Sequence, residues 1–190
     1  MNIPNILTVL RVLMIPVFVV LFYLGDNSQP NFYAWMIFTI ACATDLIDGY
    51  LARKLNMGTK FGAFLDPVAD KFIVCVSLVL IVEYYSQNNE KIIYSWIITL
   101  PSLIIICREL IISALREWMA ELGKRAAVSV KWVGKWKTTF QMFAIGGLVW
   151  RQADWMIYAS AALLYVAVVL TLFSMIQYLK VAWSDLTSEM

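Results

Sequence analysis

Long apolar stretches separated by short polar loops run the length of the chain. They fall at Ile6 to Leu24, Phe32 to Leu51, Phe64 to Val82, Ile92 to Leu115, Val133 to Trp150 and Trp155 to Trp183. A helix rising about 1.5 Å per residue needs about 20 apolar residues to cross a bilayer core, so the pattern predicts six membrane-spanning helices. The fifth is the shortest. Its uncharged part runs from Thr138 to Trp150, and it reaches across only by including "KWVGKWK", whose lysines can snorkel to the interface. Short connections make consecutive spans antiparallel neighbours. The expected fold class is an all-α integral membrane protein, a six-transmembrane-helix bundle forming one domain over residues 1–190.

Composition supports this reading: 62% of the residues are hydrophobic and the mean hydropathy is +0.74, too apolar for an ordinary soluble domain. No small-residue cleavage site follows the first apolar run, which is therefore read as a retained helix. The loops "GDNSQPN", "SQNNEK" and "RQAD" hold just Lys91 and Arg151. The opposite side carries Arg11, Arg53, Lys54, Lys60, Arg116, Lys124, Arg125, Lys131, Lys135, Lys137 and Lys180. By the positive-inside rule that side is the cytoplasm, with both termini there and the protein a multi-pass component of a cytoplasmic (inner) membrane. The three cysteines, Cys42, Cys75 and Cys107, are scattered through apolar stretches and suit packing better than a disulfide framework or a zinc knuckle. With no histidine in the chain, serine–histidine and cysteine–histidine catalysis are excluded. Acid–base chemistry must fall to carboxylates, lysines or tyrosines. Membrane lipids are expected partners and nucleic acid is not.

The segment "DLIDGYLARKLNMGTKFGAFLDPVADK" concentrates four aspartates at the junction of the second and third stretches. Asp45 and Asp48 are three residues apart, and Asp66 and Asp70 four apart, so each pair shares a helical face. If the two helices are antiparallel neighbours, both pairs lie at similar depth in the cytoplasmic half of the bilayer and can converge. Four carboxylates that close cannot all stay ionised unless cations neutralise them. Hard divalent ions with oxygen ligands, Mg²⁺ or Mn²⁺, fit best, and two of them about 3.5–4 Å apart would suit in-line attack at phosphorus. Gly49 and Gly62 beside the acids would let a substrate lie close to the backbone. Pro67, directly after Asp66, is compatible with a helix beginning there or with a kink in a longer one.

Together these residues spell Asp-x-x-Asp-Gly-x-x-Ala-Arg, eight residues, then Gly-x-x-x-Asp-x-x-x-Asp, from Asp45 to Asp70. The pattern resembles the signature of the CDP-alcohol phosphatidyltransferase family with every fixed position present, and the six spans and basic cytoplasmic loop match that family's architecture. The resemblance implies transfer of a substituted phosphate from a CDP-linked donor to an alcohol, with release of CMP. It implies metal binding by Asp45, Asp48, Asp66 and Asp70, with Asp70 also taking the proton of the attacking hydroxyl. Gly49, Ala52, Arg53, Thr59 and Gly62 would hold CDP-diacylglycerol, with Asn5 and Thr8 as further contacts, and the resemblance also suggests a homodimer. The opening "MNIPNILTVLRVLMIP" and the later "GKWKTTFQ" are similar to the branch of the family whose acceptor is sn-glycerol 3-phosphate.

An anionic acceptor needs fixed positive groups near the metal site. Arg108 is the leading candidate, since it lies inside the fourth stretch where an unpaired charge is costly. Its neighbour Glu109 points about 100° away around the helix, so the two are not expected to pair. Arg116, Lys135 and Lys137 follow as acceptor-phosphate ligands, whereas Lys124, Arg125 and Lys131 suit anionic headgroups. Asn5, Thr8 and Arg11 share one face of a helix that Pro4 and Pro16 are expected to interrupt, with Arg11 read as an anchor. Lys71 receives no role. The tryptophans near span ends suit an aromatic belt.

Other readings fit parts of the pattern. A sister transferase accepting inositol phosphate, serine or phosphatidylglycerol would use the same aspartates. A divalent-cation transporter would place its acids nearer the bilayer midplane, between repeats. A purely structural protein would have no use for a costly acidic cluster.

Overall fold

The computed structural model describes residues 3–25, 31–55, 60–87, 95–123 and 132–188; the side chains of 3–5, 46, 48–55, 60, 61, 63, 64, 66, 132–135 and 184–188 lie outside that description. Each apolar stretch becomes one helix: α1 Ile3–Leu24, α2 Phe32–Leu55, α3 Lys60–Gln87, α4 Ser95–Glu121, α5 Trp132–Trp150 and α6 Asp154–Ser188. Three of them contain segments long and apolar enough to cross a membrane, by length and composition: Ile6–Leu24, Ser95–Glu121 and Asp154–Trp183. In α2 the apolar part is shorter, Phe32–Asp45. The helices outrun the hydropathy pattern at several ends, as in α3, which begins at Lys60 rather than Phe64.

Prolines do not break these helices. Pro16, Pro67 and Pro101 all lie inside them, so the expected interruption of α1 is not seen, and the longer-helix alternative holds at Pro67. A proline removes one backbone bond from the ladder, but in an apolar setting any non-helical backbone would leave many more groups unpaired. Hydroxyl side chains add to the internal pairing. Thr39, Ser77, Thr99 and Ser102 each donate to the carbonyl four residues earlier, and so hide their own polarity.

The helices close into a ring in the order α2, α1, α3, α4, α6, α5 and back to α2, with α3 also touching α5 across the interior. This corrects one expectation. Helices α2 and α3 were expected to be direct neighbours, but they touch little, and α1 packs against both. The core runs through Phe18, Phe22, Phe38, Leu78, Ile81, Ile105, Ile145, Leu148 and Leu164. A smaller apolar cluster of Ile112, Leu115, Met119, Tyr178 and Ala182 joins the C-terminal parts of α4 and α6. Outward-facing positions are apolar too, among them Leu13, Val17 and Val20 on α1 and Val169 and Phe173 on α6, a surface suited to lipid rather than water. The most extensive helix contact is α5 with α6. A side chain on Gly147 would collide with that of Ser160, so a small residue there lets the backbones meet.

One end of the bundle is fastened by Asn31. Its Oδ1 accepts from Ala34 N at 3.1 Å, capping α2, while its Nδ2 donates to the α1 carbonyls of Phe22 at 3.0 Å and Leu21 at 3.3 Å. Its backbone N–H donates to Trp150 O at 3.1 Å. The same end holds stacked Trp35 and Trp150, 4.5 Å between centroids. Arg151 caps α5 in the left-handed region with φ 55°, its guanidinium 3.7 Å over the Tyr84 ring, and burial lowers its pKa from the usual arginine value. Replacing Asn31 with Ala should cost about 1–2 kcal/mol from the lost cap, with more from the two α1 carbonyls left unpaired. Thermal unfolding in detergent checks this, and Asn31→Asp, which keeps the cap acceptor but sets a buried carboxylate oxygen against the two α1 carbonyls, should be no more stable than Asn31→Ala.

Candidate active site

The opposite end gathers the charges. It is made of the N-terminal parts of α1, α3 and α5 and the C-terminal parts of α2, α4 and α6, as up-and-down packing requires. Asp45 lies near the point where α2 loses its apolar character, and Asp70 lies in the third turn of α3. Between them stands Arg11 of α1, 1% exposed. Its Nη1 is 2.9 Å from Asp45 Oδ1 and 2.6 Å from Asp70 Oδ1. Two carboxylates from different helices thus reach one cationic nitrogen, while remaining 36% and 45% exposed.

The convergence expected of the acids therefore holds for Asp45 and Asp70. The helical positions of Asp48 and Asp66 fall within α2 and α3, with their side chains outside the described residues. Two carboxylates are part of a donor set for a hard divalent ion; among the described residues no three acidic, histidine or cysteine side chains gather to hold a metal, and the Arg11 guanidinium lies between the two acids that meet. Among the expected donor contacts, Thr8 is buried one turn before Arg11 on the same face, and Gly62 is buried on α3. Gly49, Ala52 and Arg53 occupy α2, but their side chains and that of Asn5 lie outside the described residues, as does Thr59 entirely.

A second cluster lies across α3. Asp70 turns toward α1, and Lys71, one residue on, donates to Ser113 of α4. Beyond it Glu109 Oε1 is shared by two cations, Arg108 Nη1 at 3.2 Å and Lys137 Nζ of α5. The expectation that Arg108 and Glu109 would not pair is overturned. The angle between adjacent residues constrains their Cβ atoms, but both side chains are long enough to fold back toward each other, and burial of Arg108 rewards it. Arg108 Nη2 also donates to Ser174 Oγ on α6 at 2.8 Å, and the Ser174 hydroxyl in turn donates to Thr171 O at 2.9 Å. Arg116 donates from Nη2 to Tyr178 at 3.0 Å, with its guanidinium carbon 5.2 Å over that ring. Among the described residues, Arg108 Nε and Arg116 Nε are buried without an acceptor. Three of the four expected acceptor-site cations are thus described at this end, while the Lys135 side chain lies outside the described residues.

Sequence reasoning missed Arg11, Glu109, Ser174 and Tyr178. Arg11 carried a signal, as the one charge in an otherwise apolar helix, on the same face as Thr8. Ser174 and Tyr178 carried none, because their pairing depends on how α6 lies against α4.

Known proteins place the chain. The profile of the CDP-alcohol phosphatidyltransferase family matches residues 1–173. Proteins named CDP-diacylglycerol–glycerol-3-phosphate 3-phosphatidyltransferase from Escherichia coli strain K12 and Shigella sonnei are 54% identical over 188 residues, covering 99% of this chain and 98% of theirs. The protein of the same name from Shigella flexneri serotype 5b is 53% identical over the same coverage. A family match over most of the chain, relatives similar along nearly its whole length, and two motif aspartates meeting at one buried cation make this chain a member of the CDP-alcohol phosphatidyltransferase family.

Proposed function

We propose that the chain transfers the phosphatidyl group of CDP-diacylglycerol to sn-glycerol 3-phosphate, giving phosphatidylglycerophosphate and CMP. The observation that carries this reading is the full-length identity to relatives named for that reaction. The charge distribution supports it, with Asp45 and Asp70 gathered around Arg11 on one side of α3 and Arg108 and Lys137 around Glu109 on the other.

In this reading Asp45, Asp48, Asp66 and Asp70 would hold two Mg²⁺ or Mn²⁺ ions. Such ions neutralise the pyrophosphate and stabilise CMP as it leaves. Asn5, Thr8, Gly49, Ala52, Arg53, Thr59 and Gly62 seat the donor. Arg108, Arg116, Lys135 and Lys137 bind the acceptor phosphate, and Glu109 keeps Arg108 and Lys137 close together. Asp70 accepts the proton of the attacking hydroxyl as its oxygen bonds to the β-phosphorus, and the bond from that phosphorus to CMP breaks. Placing the acids and the cations on either side of residues 70 and 71 gives each end of the acceptor its own partners. The remaining parts of the proposal are a single domain of six spans in a cytoplasmic membrane, with both termini and the site on the cytoplasmic side, and a homodimeric assembly.

The reading is tested by CMP release from the purified protein given CDP-diacylglycerol, Mg²⁺ or Mn²⁺, and a panel of alcohols. Release should require both the metal and sn-glycerol 3-phosphate. Release with a different alcohol would move the chain to a sister specificity, and no release from folded protein with any alcohol would end the proposal. Asp70→Asn should lower kcat by about 10²–10⁴, as loss of a general base does, while CDP-diacylglycerol still binds by calorimetry or fluorescence. Lys137→Met should raise KM for sn-glycerol 3-phosphate by about tenfold or more, the scale of a lost charged hydrogen bond, and leave KM for CDP-diacylglycerol within about twofold.

A further inference from the structure

Arg11 has no part in the reaction as described, yet it is the more deeply buried member of both ion pairs at the aspartates. A guanidinium is permanently charged, and burying it is expensive unless anions compensate. Asp45 and Asp70 supply that compensation from two helices that hardly touch each other. The relation is reciprocal, since two carboxylates drawn together repel unless a cation lies between them. A divalent ion coming to these carboxylates meets a positive charge already 2.9 Å from an oxygen of Asp45 and 2.6 Å from one of Asp70.

We propose that Arg11 is the resident cation of the aspartate site and the antagonist of its divalent ion: it holds Asp45 and Asp70 together across α1, α2 and α3 while no ion is bound, and weakens ion binding by repulsion and by competing for the same oxygens. The proposal rests on the reading of the aspartates as metal ligands. It makes Arg11 a positioning residue, and it predicts a sign that a merely structural arginine does not share. Taking the charge away tightens metal binding even as it loosens the metal-free protein.

The test compares wild type, Arg11→Lys and Arg11→Gln in detergent without substrate, measuring Mn²⁺ binding by the free-ion electron paramagnetic resonance signal and thermal unfolding with and without Mn²⁺. Arg11→Gln should bind Mn²⁺ about tenfold more tightly, through relief of a like-charge contact. Its Tm should be lower than that of wild type without the ion and should rise more on adding it, because a ligand stabilises by RT ln(1 + [L]/Kd). Arg11→Lys keeps the charge and should stay within about threefold of wild type. Unchanged or weaker Mn²⁺ binding in folded Arg11→Gln overturns the proposal, since a structural role alone lowers Tm without tightening the ion. If Arg11→Gln does not fold, wild type decides: modification of Arg11 by phenylglyoxal, mapped by peptide mass, should increase when Mg²⁺ engages the carboxylates, and no increase overturns the proposal. Wild type that binds no Mn²⁺ and releases no CMP overturns both this proposal and the metal reading, whereas Mn²⁺ binding and CMP release indifferent to Arg11 overturn this one alone.

Discussion

A charged group buried among apolar helices must meet its opposite, because the cost of leaving it alone exceeds almost anything packing can return. That constraint selects the helix order at the working end of the bundle. Arg11 sits on α1, and its partners Asp45 and Asp70 sit on α2 and α3. Helix α1 therefore lies between the two acid-bearing helices and packs against both. Glu109 does the same for the other half of the site, drawing Arg108 from its own helix and Lys137 from α5 to one oxygen. Ser174 then receives the second arm of Arg108 from across α6. The charges gathered at this end are thus also the pins that register the helices.

How the site is divided follows from local geometry. Successive residues on a helix point about 100° apart, so Asp70 and Lys71 address different neighbours, Arg11 on α1 and Ser113 on α4. A single turn of α3 serves an acidic compartment on one side and a basic one on the other. No loop is needed to separate them, and both compartments are built on regular backbone, which fixes a side chain more tightly than a connection does.

Much of this could be read before any coordinates. Hydropathy located all six helices, and the convergence expected of the acids is seen for Asp45 and Asp70. What hydropathy cannot report is where the backbone hydrogen bonds stop, since α4 continues past Leu115 to Glu121 and α6 past Trp183 to Ser188. Spacing within one helix says nothing about which helix comes between two others, so the role of Arg11 was hidden in plain sight as a lone charge. The separation of Arg108 from Glu109 failed for a different reason. Directions at Cβ are a poor guide to where long, flexible side chains end, once burial makes pairing worthwhile.

The two ends of the molecule are held by different chemistry. At the charged end the helices are joined by ion pairs. At the other end Asn31 ties α1, α2 and α5 through neutral amide bonds that no substrate can replace. The bundle is thus fastened by charges at one end and by neutral bonds at the other. Added salt therefore acts on the two ends unequally, screening the part-exposed carboxylates of Asp45 and Asp70 while leaving the buried amide of Asn31 untouched.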